Sequence, residues 1–94
     1  MRTEQMRNSR DLRVRRAVAV EVKAAIERAG KSVTEVAAAS GIAQTTLYRK
    51  LKGDTAFNVD EMSSLARVLG VEARRFMPDA ATVAEVRMPE AVGQ

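Results

Sequence analysis

Apolar positions along this chain recur at three- and four-residue spacing rather than at two. Val18, Val22, Ile26 and Ala29 form one such stripe, and Met62, Leu65, Ala66 and Leu69 form another. Each stripe predicts a helix with one face turned to a core. Four of the glycines, Gly30, Gly41, Gly53 and Gly70, fall just past stretches of this kind and mark helix ends. Two starts are marked as well. Ser32-Val-Thr-Glu35 and Asn58-Val-Asp-Glu61 each place a capping side chain three residues ahead of a Glu that can reach back. The punctuation predicts four helices, and a short fifth over about residues 72–77 with Phe76 inward, stopped by Pro78. Phe57, the largest apolar side chain in its loop, is expected to plug the core beneath helices three and four. The fold class read from this pattern is all-α, a compact five-helix domain over residues 12–77.

The two ends read differently. Residues 1–11, MRTEQMRNSRD, are polar or charged apart from two methionines and suggest a flexible basic arm. Residues 79–94 fit a strand through Thr82, Ala84, Val86 and Met88, and a helix through Ala80, Val83, Ala84 and Arg87; the pattern leaves both open.

Composition narrows the chemistry. The 94 residues include no Cys and no His, which removes disulfides, His or Cys metal sites, and catalysis by either residue. No glycine-rich phosphate loop is present and no apolar run approaches the roughly 18 residues of a membrane helix. An enzyme is not expected, nor a cofactor, a small-molecule ligand or a membrane partner. The expected location is the cytoplasm. The net charge of +4 has one address: residues 1–16 hold six arginines against Glu4 and Asp11, and the remainder balances.

The segment Ser32 to Gly53, SVTEVAAASGIAQTTLYRKLKG, carries the functional signal. Two short helices joined by Ser40-Gly41-Ile42-Ala43 must cross steeply, which is a helix-turn-helix. Ala37 suits the crossing point because it is small, and Val36, Ile42, Leu47 and Leu51 supply buried contacts. At about 100° per residue the face opposite Leu47 and Leu51 presents Thr45, Arg49 and Lys52, flanked by Thr46 and Tyr48. Gln44 stands at the exposed first turn, the part of a recognition helix that meets base edges. Gln can pair with adenine, Arg with guanine, and a Thr methyl can rest on that of thymine. Lys50 and Lys52 suit phosphates, as do Ser32 and the free N–H groups opening the second helix. Tyr48 can either touch a phosphate or pack on a neighbouring helix. Cations at the end of the third helix are also favoured by its dipole. Arg13, Arg15 and Arg16, read as lying near the start of helix one, oppose that helix's dipole; with Arg7 and Arg10 they are expected to contact phosphates or a minor groove.

With these residues in place, the chain resembles the phage repressor and Cro type of helix-turn-helix domain, over roughly residues 18–77. The shared pattern is a capping-box helix with Ala at its centre, Gly-Ile at the turn, Thr-Leu in helix three, then FNVDEMSSLARVLGV at 57–71. The resemblance implies a lambda-repressor-like fold, base contacts at Gln44, Thr45 and Arg49 with Thr46 adjacent, and backbone contacts at Ser32 and Lys52. At position 43, where the family often has Ser or Thr, this chain has Ala, which forfeits about 1 kcal/mol of capping. Any dimer is expected to form through the helical domain or residues 78–94. The resulting expectation is a sequence-specific regulator of transcription, a phage or bacterial repressor binding a palindromic operator in double-stranded DNA as a homodimer, associated with the nucleoid. The alternative is an antitoxin-type regulator whose C-terminal tail also binds a partner protein.

Overall fold

The computed structural model describes residues 2–78, with side chains from residue 11 onward. Among these residues four α-helices and one 3₁₀ turn follow in order: α1 Arg2–Arg28, α2 Val33–Ser40, α3 Gln44–Leu51, α4 Val59–Leu69 and a turn over Ala73–Phe76. The expected fifth helix is this turn. Its bonds run from Arg75 N–H to Glu72 O and from Met77 N–H to Arg74 O, the tighter three-residue pattern. With no side-chain cap at Glu72 and Pro78 two residues past its end, it has no length in which to relax into an α-helix.

The punctuation of the sequence is where the helices begin and end. Ser32 Oγ accepts from Glu35 N–H at 3.1 Å while the Ser32 N–H donates to the Glu35 carboxylate at 2.8 Å. Asn58 and Glu61 repeat the exchange at 2.7 and 2.9 Å and open α4. At the other end of α2, Gly41 takes φ +79°, a left-handed conformation that turns the chain directly toward α3.

The first helix differs from expectation. Residues 2–11, read as a flexible arm, are the first turns of α1, which runs 27 residues. They contain no Gly or Pro and are rich in Arg, Gln, Glu and Met, which propagate a helix readily once a packed stretch has nucleated it. Polarity showed that this segment lacks a core face, not that it lacks a helix. Arg13, Arg15 and Arg16 therefore lie about three turns or more inside the helix, beyond the reach of its N-terminal dipole, and do not oppose it as their expected position required.

The core gathers one stripe from each helix. Val18, Val22 and Ile26 of α1, Val36 and Ala37 of α2, Leu47 of α3, and Leu65, Ala66 and Leu69 of α4 are buried together with Phe57 and Phe76. Val14, Ile42, Leu51 and Met62 pack at its margin. Ala29, placed in the α1 stripe by spacing, is exposed, and Ala25 takes that place. The last turn of α1 is already unwinding into Gly30, so the stripe ends one turn sooner. Residues 79–94, with both readings of the tail and its proposed dimer or partner role, lie outside the described residues, as do the side chains of Arg7 and Arg10.

Candidate nucleic-acid interface

Helix α3 divides cleanly into two faces. Leu47 is fully buried, Lys50 is buried and Leu51 half-buried, whereas Gln44, Thr45, Tyr48, Arg49 and Lys52 are exposed and Thr46 is half-buried between them. The exposed set follows the spacing of a single helix face, so five of the expected contact residues can meet one groove together. Ala43 makes no side-chain cap, as its lack of a hydrogen-bonding group requires, so the first N–H groups of α3 have no capping partner within their own helix end.

A second group forms beside this face. Ser32, Tyr48 and Lys52 line a cleft of about 420 Å³ whose apolar floor is Ile26, Val33 and Leu51. Lys23 and Lys31 stand at its rim with Glu27, and sequence spacing singled out neither lysine. Their chain positions are remote from α3, although Lys31 directly precedes the cap Ser32 and its charge helps hold the Glu35 carboxyl low. The cleft thus gathers three ammonium groups and the hydroxyls of Ser32 and Tyr48 near the α2 N-terminus. The helix end and the lysines both favour an anion such as a phosphate, and Glu27 at the rim opposes it.

Two expected contacts are spent elsewhere. Lys50, expected at a phosphate, donates from Nζ to both carboxylate oxygens of Glu61 at 2.6 Å, with its side chain 11% exposed. A lysine buried this deeply needs an acid, and Glu61, 11 positions away, supplies it. Arg16 reaches Asp54 at 3.7 Å and lies against Gly53, joining α1 to the loop after α3. Of the three described N-terminal arginines only Arg15 is exposed.

A helix-turn-helix family model matches residues 22–76. The chain belongs to the phage repressor and Cro type of that family. No curated protein and no solved structure matches it. The matched span runs from the last two turns of α1 to Phe76, so it contains α2, α3 and α4 entire. Domains of this family bind DNA in the regulation of transcription, and this helix-turn-helix protein is a DNA-binding regulator. Among the described residues no helix is long and apolar enough to cross a membrane, and no cluster of three or more acidic residues could hold a metal ion.

Acid should loosen the caps and the Lys50–Glu61 pair. At Glu61, burial pushes the carboxyl up, but the hydrogen bonds from Lys50 and the Asn58 N–H, with the Lys50 charge, outweigh it and hold the group below its ordinary 4.5. At Glu35 the Ser32 backbone and hydroxyl hydrogen bonds hold the carboxyl low, assisted by Lys31 and opposed by slight desolvation. Both groups bind protons more weakly in the folded state, so the stability they contribute is complete above about pH 4.5 and is lost as pH falls through their lowered values. Thermal melts should be level from neutral pH to about 5 and then decline, with a shallower acid decline in Glu61→Gln. An equal decline in wild type and variant would mean that Glu61 is not held low.

Proposed function

We propose that this regulator is a repressor of phage or bacterial type that reads a palindromic operator as a homodimer. The observation that carries the reading is the single exposed face of α3, on which Gln44, Thr45 and Arg49 stand clear of the core. Gln44 pairs with adenine and Arg49 with guanine, Thr45 offers its methyl to thymine, and Thr46 borders them. Ser32, Tyr48 and Lys52, with Lys23 and Lys31 from the same cleft, hold phosphates and fix how α3 enters the major groove. Arg15, exposed on α1, adds a cation for flanking phosphates or a minor groove. In a dimer the two reading helices sit about 34 Å apart, one turn of the duplex, and occupancy of the operator blocks the promoter on the host nucleoid.

Selection of bound sites from random DNA tests this reading, with the expected outcome two inverted half-sites one helical turn apart. Unpaired sites would remove the homodimer. On the selected operator, Arg49→Ala should cost about 1–3 kcal/mol and relax preference at one base pair, while Lys52→Ala should weaken operator and random DNA alike and lower the salt slope by about one. Equal losses on both DNAs for Arg49→Ala would show that Arg49 holds a phosphate instead of a base.

A further inference from the structure

Lys50 has the sequence position of a DNA contact but the surroundings of a support. It lies next to Arg49 on the reading helix, yet its ammonium is turned inward and shared between both oxygens of Glu61 on α4. Helix α3 packs closely on α1 and α2 but not on α4. Along that side the two elements are separated by an open cleft of about 290 Å³, walled by Ile42, Ala43 and Thr46 on one side and by Asn58, Glu61 and Ser64 on the other. The N-terminus of α3 has no side-chain cap to tether it. Lys50 to Glu61 is the ion pair that spans from α3 to α4 among the described residues.

The acid end of that span is fixed in advance. Glu61 is the third residue of the α4 capping box, and its carboxylate also accepts the Asn58 N–H at 2.9 Å. The lysine therefore docks into a carboxylate that α4 has already oriented. We propose that the Lys50–Glu61 pair is a strut that sets the rotation of α3 about its own axis, so that both are positioning residues for base reading. The proposal rests on the DNA-reading function above. At a helix radius of about 5–6 Å including side chains, a 20° rotation displaces a side-chain tip by about 2 Å. That is more than a hydrogen bond to a base edge tolerates and less than a phosphate contact by a flexible lysine would notice. A buried ion pair is also poor at stabilising a fold compared with apolar side chains of similar size, so its removal can separate positioning from stability.

The test is the variant Lys50→Met/Glu61→Gln, in which Gln keeps the reach of the capping box. Its affinity for the selected operator and for random DNA is measured against wild type across salt, and the orientation of α3 relative to α4 in the free protein is measured by residual dipolar couplings. The expected result is a reoriented α3, a roughly tenfold lower ratio of operator to random binding, and unchanged random binding and salt slope. Lys50→Met/Glu61→Met, wholly apolar, serves the same measurements if the first variant melts early. An unchanged orientation and ratio in a folded variant would overturn the proposal. So would a parallel loss on both DNAs with a lower salt slope, which would return Lys50 to a phosphate. A wild type that fails to discriminate between DNAs would instead defeat the DNA-reading function, and the dipolar couplings would still decide whether the strut orients α3.

Discussion

Leu47→Ala is expected to destabilise the domain by about 2–5 kcal/mol, enough to lower the midpoint of a thermal melt by roughly 10–30 °C. Leu47 is the fully buried apolar side chain of an eight-residue helix. Ile42 and Leu51 reach only the margin of the core, and Ala43 provides no cap. Truncation therefore removes the main apolar anchor of α3 and leaves a cavity among the core side chains of the other helices. Small domains are stable by about 5–15 kcal/mol in total, so a loss of this size leaves α3 frayed well before global melting. Tyr48→Ala, one residue on and 46% exposed, is the control and should alter stability by no more than about 0.5 kcal/mol. Melts followed by far-UV circular dichroism compare the two. Similar midpoints would mean that α3 does not sit on the core through Leu47.

The contrast between these neighbouring residues also shows why so much of the domain could be read before its structure. Where a residue acts through its immediate neighbours in sequence, the pattern is local and visible. The capping boxes at Ser32 and Asn58, the turn at Gly41 and the alternation of Leu47 with Arg49 are of this kind. Lys50 is hard to place from sequence for the opposite reason. Its periodic position is inward, but its charge argued for solvent, and only contact with Glu61 in another helix resolves that conflict. Lys23 and Lys31 carry no signal in the sequence on similar grounds, because the cleft that unites them with Ser32 and Lys52 exists only once α1 lies beside α3. The first turns of α1 show a further limit. Polarity reports whether a segment has a face to bury, whereas the helix there continues by propagation from residues that do.

Gly53→Ala is expected to cost about 2–5 kcal/mol, from strain and crowding together. Gly53 takes φ +86°, where a side chain at Cβ is strained by itself. It also lies against α1: a Cβ built there would stand 2.6 Å from Arg16 Cγ and 3.1 Å from Arg16 Cα. The side chain could swing aside, but the Cα belongs to the packed part of a long helix, between Val14 and Ala17. Relief would have to come from the loop after α3, which would pull on Lys52 before it and on the Arg16–Asp54 contact after it. Gly41→Ala separates the two costs, since Gly41 has a similar φ of +79° but open space around its Cβ position. That variant should lose only the conformational part, about 1–2 kcal/mol. Denaturant melts of the two single variants give the difference directly, and a larger loss at Gly53 by about 1–3 kcal/mol measures the close approach of α1 to the end of α3. Equal losses would show that this approach is loose, and that the end of α3 takes its position from Leu47 and Lys50 alone.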